Sequence, residues 1–266
     1  MSVRSKMSSH RRAATSTGSR RTGRVANPLQ LSGSSCPHCG KPTDVCVCDK
    51  SERLPTRLRV VILQHPQEQD ALLGSAPLLT SNLSKAQIVV GLSWRSLSAA
   101  LGENIDPERW AVIFPRKEPA HGTGTRVVDK RGVVVPPKRL DGIVVLDGTW
   151  SQAKTLWWRN PWFLKLQRVI VEPREPSIYG ALRQEPRREY VSTLEAVADT
   201  LAALGESEET RSHVRRVFRT MVQRARDAYA KAATKEPSPR TPVAPSSSAP
   251  SPQTTDARPH RDPDRA

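Results

Sequence analysis

Residues 140–162 read LDGIVVLDGTWSQAKTLWWRNPW, which predicts a buried strand, a tight turn and a helix in succession. The apolar run at residues 143–146 is typical of a strand covered on both faces. Gly148 permits a tight turn, and the helix is predicted to begin near Ser151. Asp147 therefore lies at the carboxyl end of a buried strand. In open α/β sheets this edge binds ligands, because loops surround a crevice there and helix N-termini point into it.

Two interpretations of this strand end stay open on the residues alone. In the first, Asp147 and Trp150 belong to a functional site. In the second, Asp147 only caps the following helix and Trp150 only fills the core. The spacing fits both interpretations equally well.

The rest of the chain alternates between strand-like and helix-like segments. Short β-branched or apolar runs predict strands at residues 58–63, 87–92, 110–114, 143–146 and 169–171. Helical periodicity predicts helices at residues 94–101, 151–158, 192–204 and 207–230. This alternation predicts an α/β fold with a mostly parallel sheet.

All four cysteines, Cys36, Cys39, Cys46 and Cys48, lie close together near the front of the chain. Such clustering without a secretion signal predicts a structural zinc site, because four thiolates satisfy tetrahedral zinc and leave no open position. The tight Cys46-X-Cys48 spacing leaves two arrangements open: His38 replaces one thiolate, or the second pair binds in a more extended geometry. A redox Cys-X-X-Cys is the alternative, but that motif expects a preceding strand and a helix starting at it.

The chain is strongly basic, with 42 Lys and Arg against 26 Asp and Glu, a net charge of +16 and a pI near 10.4. Residues 1–30 hold seven basic and no acidic side chains. Residues 31–230 still hold 29 basic and 22 acidic side chains. A basic core favours a polyanionic partner, although tail composition alone is the usual cause of a high pI.

Composition also divides the chain. Residues 1–30 and 231–266 are poor in large apolar side chains, so both are predicted to be disordered tails. Residues 31–52 form the predicted zinc module, and residues 53–230 form one larger domain. We find no secretory signal and no apolar run of about 18 residues, so we expect a cytoplasmic protein without a membrane partner. The N-terminal composition also suits an organellar transit peptide, and that alternative stays open.

Two further segments offer acidic and basic groups beside predicted element ends. His65 and Glu68 follow the first strand, where they can act as an acid/base pair or merely satisfy backbone groups. Ser192 and Glu195 have the spacing of a helix capping box, so Glu195 can be entirely structural.

The segment between residues 172 and 188 is long, rich in cations and poor in apolar side chains. Arginine can bind phosphate bidentately and tyrosine can stack on a base, so the segment predicts an RNA contact. A surface loop without function is the alternative. The candidate RNA-binding residues are Arg174, Tyr179, Arg183, Arg187 and Arg188.

Four segments in order resemble the DTW-domain family: the cysteine cluster at residues 36–48, His65-Pro-Gln-Glu68, Asp147-Gly-Thr-Trp150, and residues 192–196 (STLEA). The resemblance extends over about residues 36–230. It implies a tRNA-uridine aminocarboxypropyltransferase, which moves the 3-amino-3-carboxypropyl group of S-adenosylmethionine to uridine N3. It also implies a SPOUT-like knotted α/β domain and a tRNA partner.

The resemblance suggests roles for individual side chains. Asp147 acts as the base for uridine N3 or binds the ammonium group of S-adenosylmethionine, Thr149 contacts its amino-acid part, and Trp150 forms an aromatic wall. The candidate catalytic residues are therefore Asp147, Thr149, Trp150, His65 and Glu68. The candidate cofactor-binding residues are Phe114, Pro115, Leu146, Asp147, Ser192, Thr193 and Glu195.

Two other functions stay open at this point. A SPOUT-type RNA methyltransferase would share the fold, cofactor and charge, but would release S-adenosylhomocysteine instead of methylthioadenosine. A non-enzymatic, zinc-containing RNA-binding protein would bind no cofactor. The particular tRNA, the particular uridine and the oligomeric state do not follow from the sequence.

Overall fold

The computed structural model describes residues 34–113, 124–129, 131–136, 139–173, 175–182 and 191–234. These residues belong to one compact unit. The tail segments 1–30 and 235–266 lie outside them. So do six residues with predicted roles, namely Phe114, Pro115, Arg174, Arg183, Arg187 and Arg188.

A six-stranded sheet forms the centre of the molecule, in the order β2-β1-β5-β3-β6-β4. Its strands are β1 (Arg59–Gln64), β2 (Ala86–Val90), β3 (Trp110–Ile113), β4 (Arg126–Val128), β5 (Gly142–Asp147) and β6 (Gln167–Ile170). All neighbours are parallel except β4, which pairs antiparallel with β6 at the edge. The predicted α/β class and mostly parallel sheet are confirmed.

The run at residues 143–146 lies between two partners, as its continuous apolar character predicted. It pairs with β1 on one side and β3 on the other. Gly142 opens β5 beneath the Trp110 ring, where an added Cβ would lie 2.5 Å from Trp110 Cζ3. That distance is shorter than any ordinary carbon–carbon contact, so the close packing requires glycine.

Helices cover the sheet: α1 (Ala76–Asn82), α2 (Leu97–Leu101), α3 (Trp150–Arg159), α4 (Thr193–Ala203) and α5 (Glu208–Thr234). Side chains of each strand alternate between two apolar layers. Val60 and Ile62 pack with α1, α4 and α5, whereas Val61 and Leu63 pack with α2 and the aromatic residues after α3. The central strands β1, β3 and β5 are therefore buried on both faces.

The front segment packs directly on the rest of the unit. Val47 is buried in the same apolar layer as α4 and α5. Arg224 of α5 donates to both carboxylate oxygens of Asp49 at 2.9 Å and also to the carbonyl of Cys46. In the described part of the chain, none of the helices has the length and apolar character needed to cross a membrane.

Candidate active site and metal centre

Asp147 is the last residue of β5, and its side chain is only 7% exposed. Gln64 Nε2 donates to Asp147 Oδ2 at 2.9 Å, and Thr193 Oγ1 donates to Asp147 Oδ1 at 2.7 Å. Gln64 ends β1 directly opposite Asp147 in the sheet register, and Thr193 begins α4. Three elements that are distant in sequence thus orient one carboxylate.

Both donors to Asp147 are neutral, and among the described residues no Lys or Arg forms an ion pair with it. Each carboxylate oxygen accepts one hydrogen bond from these donors and has further acceptor capacity. A buried carboxylate of this kind can accept a proton or bind a cationic group of a ligand.

Asp147 does not cap the helix that follows it. Thr149 is the N-cap of α3: its Oγ1 accepts from Gln152 N at 3.4 Å, and its own N–H donates to Gln152 Oε1 at 2.6 Å. This reciprocal pair is a capping box. The structure therefore removes the capping interpretation of Asp147. Trp150 is half-buried as the first residue of α3, and Leu146 is half-buried in β5.

His65 and Glu68 lie in the turn that leaves β1 beside this strand end. The His65 N–H donates to the carbonyl oxygen of Asp147 at 2.9 Å. His65 Nδ1 accepts from Gln67 N at 3.3 Å, which starts a short 3-10 turn and leaves the proton on Nε2. Glu68 ends that turn and is half-buried. The histidine therefore satisfies a backbone group and also lies next to the Asp147 backbone.

The predicted capping box at Ser192 and Glu195 is present. Ser192 N donates to Glu195 Oε2 at 3.1 Å, and Glu195 N donates to Ser192 Oγ at 3.2 Å. The fully buried Glu195 carboxylate also accepts from Ile178 N and Ser177 Oγ, each at 3.0 Å, and lies 4.0 Å from Arg215 Nη1. Its hydrogen bonds hold residues 177–178 against α4, so the observed role of Glu195 is to position that segment.

Tyr179 is buried, contrary to the predicted exposure of an RNA-stacking side chain. Its ring is 1% exposed and packs edge-on against Phe218, with 4.9 Å between ring centroids. Its hydroxyl donates to the Leu73 carbonyl at 2.5 Å. A base cannot reach a ring face in this arrangement. No pattern in the sequence indicated that α5 would cover this part of the segment.

The four cysteine sulfurs converge, with all Sγ atoms within 4.8 Å of one another. Cys36 and Cys48 sulfurs are 3.9 Å apart, and Cys39 and Cys46 sulfurs are 3.7 Å apart. A tetrahedral zinc with Zn–S bonds of about 2.3 Å separates its sulfurs by about 3.8 Å. The cluster therefore fits a four-thiolate zinc ion without His38, which is exposed.

Without a bound cation, the surroundings of the cysteine cluster do not favour the thiolate form of all four cysteines. Burial raises the pKa of the Cys46 thiol, and burial together with the neighbouring thiols raises the pKa of Cys48. Hydrogen bonds from the backbone at Cys39 and His38 lower the pKa of Cys36 to about 6. A bound cation would supply the positive charge that four thiolates at this separation need.

The cysteine cluster is linked to the chain that leaves the His65 turn. Lys41 Nζ donates to the carbonyl oxygens of Leu72 at 2.7 Å and Ala71 at 3.3 Å. Burial lowers the pKa of this amine. Since Tyr179 holds the carbonyl of Leu73, residues 71–73 are fixed from two sides.

Gln64 and Lys41 were missed by sequence reasoning. Gln64 is the one polar side chain at the end of the apolar strand RVVILQ, which could have marked it. No local pattern marks Lys41, because its partners lie 30 and 31 residues away.

The profile of the DTW domain matches residues 33–226 of the chain. The Macaca fascicularis protein named tRNA-uridine aminocarboxypropyltransferase 2 is 28% identical over 179 residues, covering 64% of this chain and 56% of that protein. The Drosophila melanogaster protein of the same name is 28% identical over 198 residues, covering 70% of this chain and 72% of that protein. The Arabidopsis thaliana tRNA-uridine aminocarboxypropyltransferase A is 27% identical over 211 residues, covering 71% of this chain and 79% of that protein. No solved structure matches the chain.

Proposed function

We propose that this chain, which belongs to the DTW-domain family, is a tRNA-uridine aminocarboxypropyltransferase. Uridine N3 attacks Cγ of the methionine part of S-adenosylmethionine, and the Cγ–S bond breaks. The N3 proton is lost, and S-methyl-5'-thioadenosine leaves with the electron pair of that bond. The observation that carries this proposal is the oriented Asp147 carboxylate at the DTW strand end.

The chemistry of the strand end fits S-adenosylmethionine. The donor is cationic at its sulfonium and ammonium groups, and Asp147 is a buried carboxylate with neutral neighbours. Helices α3 and α4 both begin here, since Thr149 caps one and Thr193 starts the other. Free backbone amides at helix N-termini favour an anionic group, which suits the carboxylate of the same donor.

We assign Asp147 as the base that removes the N3 proton. Uridine N3 is a poor nucleophile while protonated, and a carboxylate within hydrogen-bond reach raises its reactivity. Gln64 and Thr193 act as positioning residues through their hydrogen bonds to that carboxylate. The alternative role of Asp147 is to bind the ammonium group of the donor. In that case, removal of the Asp147 charge would lower the affinity for S-adenosylmethionine rather than the turnover.

The remaining candidates keep the roles that the family resemblance implies. Trp150 and Leu146 wall the donor, Thr149 contacts its amino-acid part, and His65 and Glu68 assist from the neighbouring turn. Phe114, Pro115, Ser192 and Thr193 complete the proposed cofactor site. Glu195 contributes by holding its capping box and residues 177–178.

We also infer a structural zinc ion on Cys36, Cys39, Cys46 and Cys48, and a knotted SPOUT-like fold. The sulfur separations support the zinc. The knotted fold is what the family resemblance implies, and a mostly parallel six-stranded sheet fits it. The proposed partner is tRNA, with Arg174, Arg183, Arg187 and Arg188 as candidate contacts, and the proposed location is the cytoplasm.

The identity of the released thioether tests the function. Full-length protein is incubated with S-adenosylmethionine and unmodified tRNA, and products are identified by mass spectrometry. We expect S-methyl-5'-thioadenosine together with an equal amount of aminocarboxypropyl-uridine in the tRNA. S-adenosylhomocysteine and methylated RNA would instead identify a methyltransferase, and the absence of cofactor binding would favour a non-enzymatic RNA-binding protein.

A further inference from the structure

Trp158 is unusually exposed for an indole, at 79% of its surface. It lies in the last turns of α3, whose buried residue Leu156 points into the core. At 3.6 residues per turn, the exposed residues Ser151, Lys154 and Trp158 fall within about 60° of arc. One face of α3 therefore carries a cation and an aromatic ring, one turn apart, towards solvent.

The surroundings of this face are basic. Residues 148–171 contain Lys154, Arg159, Lys165 and Arg168 and no Asp or Glu. Exposed Arg95 belongs to a neighbouring segment, since Ser93 Oγ donates to the Arg159 carbonyl at 3.0 Å. Of the cations in residues 148–171, Lys154, Arg159 and Lys165 are exposed, and exposed cations in a segment whose sequence holds no acidic residue attract a polyanion.

The end of α3 is held firmly, so exposure of Trp158 does not come from a fraying helix. Buried Asn160 donates to the carbonyls of Leu156 at 2.7 Å and Leu92 at 3.1 Å, and it accepts from Trp94 N at 2.8 Å. The adjacent Trp157 ring stacks on Phe163, with 5.4 Å between ring centroids. The backbone of Trp158 is thus fixed from both sides, and its ring presents a preorganised surface.

We propose that the exposed face of α3 that carries Lys154 and Trp158, together with exposed Arg159 about 100° further round the helix from Trp158, binds an unpaired stretch of the substrate RNA. A base stacks on the Trp158 ring, and the two cations bind phosphates. The face leads away from the strand end, because α3 starts three residues after Asp147 and extends for about 15 Å. This inference rests on the proposed function, which supplies RNA as the substrate.

A second copy of the chain is a less suitable occupant. Each copy carries a net charge of +16, and in a two-fold contact centred on this face Lys154 and Arg159 would lie near the same cations of the other copy. Besides Trp158, the exposed large apolar side chains in the described ranges are Val90, Val133, Val134 and Leu164. So few do not make the apolar centre of a stable interface, which buries about 800 Å² of total surface per partner.

Substitution of the ring tests the proposal on the full-length protein. Trp158→Ala is expected to weaken binding of unmodified tRNA by about tenfold to a hundredfold, the usual effect of losing one base–aromatic stack. Trp158→Phe should retain most of the affinity because a stacking face remains. Lys154→Ala should lower the slope of log affinity against log salt by about one. Leu164→Ala is the matched control, being exposed and apolar but unable to stack, and should bind as wild type does.

The outcomes separate this proposal from the proposed function. Unchanged tRNA affinity in Trp158→Ala would overturn it even if wild-type protein transfers the aminocarboxypropyl group. Weaker tRNA binding in Trp158→Ala would support it even if no methylthioadenosine is released by wild type. A wild-type dimer in sedimentation velocity that dissociates in Trp158→Ala would overturn it in favour of self-association. Thermal midpoint and S-adenosylmethionine affinity should be unchanged in every variant, since the ring lies outside the core.

Discussion

The cysteine cluster and the strand-end site are built in opposite ways. Four cysteines lie within 13 consecutive positions, so backbone turns alone bring their sulfurs together. At the strand end, Gln64 is 83 positions and Thr193 is 46 positions from Asp147. There the sheet register and the start of α4 create the site. The contrast shows that local spacing reveals a cluster of cysteine sulfurs, whereas a site made by sheet topology has members that no spacing marks.

The two regions are nevertheless connected. Lys41, within the cysteine segment, holds the carbonyls of Ala71 and Leu72, and the same stretch follows the His65 turn beside Asp147. A change that unfolds the cysteine segment should therefore also disturb the strand-end site, because Lys41 no longer holds this loop in place. Each prediction below tests whether the two regions depend on different physical causes.

The largest effect is expected at the cysteine cluster. Purified protein should contain about one zinc per chain, and Cys36→Ser or Cys39→Ser should lose it, because three thiolates bind far more weakly than four. Metal content is measured by elemental analysis under reducing conditions. Ser35→Ala, next to the cluster but not a ligand, is the control and should keep its zinc. Metal-free wild-type protein would rule out the zinc assignment.

Asp147→Asn should reduce turnover by about two to four orders of magnitude, because it removes the charge of the proposed base and keeps the side-chain shape. Methylthioadenosine release and a melting curve are measured together. Asp141→Asn is a matched control on the same strand-forming segment, where the carboxylate is exposed and pairs with Arg109 at 2.5 Å. Normal turnover in Asp147→Asn would remove the residue from the mechanism. A raised KM for S-adenosylmethionine with unchanged kcat would assign it to cofactor binding instead.

Thr193→Val removes the hydroxyl that donates to Asp147 while preserving volume. A hydrogen bond to a charged group contributes about 1.5–3 kcal/mol, so kcat/KM should fall by roughly tenfold to a hundredfold. Thr193→Ser retains the donor and should restore most of the activity. Full activity in Thr193→Val would show that the hydrogen bond does not matter, and a loss confined to Thr193→Ser would assign the effect to packing of the methyl group.

Lys41→Met should loosen residues 71–73 and lower activity by less than about tenfold, since one or two hydrogen bonds to carbonyls are lost without an unpaired charge. Hydrogen exchange at Leu72 and Leu73 measures the loosening directly. Zinc content should stay at one per chain. Unchanged exchange would show that the two regions are independent.

The smallest effect on stability is expected from the ends of the chain. A protein shortened to residues 31–234 should keep its thermal midpoint, because the removed residues are too polar to bury a core. Its tRNA affinity at low salt should fall, since seven N-terminal cations are lost. A clearly lower midpoint would show that a terminal segment docks on the domain.

Elements with strong local patterns were predictable, and those that depend on neighbours were not. Strands β1, β2, β3 and β5 lie within predicted runs or within one residue of them, and β6 begins two residues before the run predicted at residue 169. Strand β4 has three residues and exists through its pairing with β6, so its sequence alone is too short to signal it. Helix α1 was also missed. Its seven residues begin with Ala-Pro and depend on packing against α4, α5 and the sheet.

Helix boundaries shifted for a similar reason. The predicted helix at residues 94–101 begins only at Leu97, because the Ser96 side chain caps it by accepting from Ala99 N at 3.0 Å. The helix predicted to end at residue 230 continues to Thr234, and α3 begins one residue earlier than predicted, at Trp150. Cap geometry depends on side-chain rotamers that sequence patterns do not specify.

The sequence by itself determined the α/β class, the position of Asp147 at a strand end, the clustered thiols and the basic charge, because periodicity, spacing and composition are local or additive properties. Tertiary structure determined that Thr149 rather than Asp147 caps α3, that Gln64 and Thr193 orient the carboxylate, and that Tyr179 is buried under α5. These features depend on sheet register and helix packing. Such contacts join residues that are far apart in the chain, and no local pattern encodes which ones will meet.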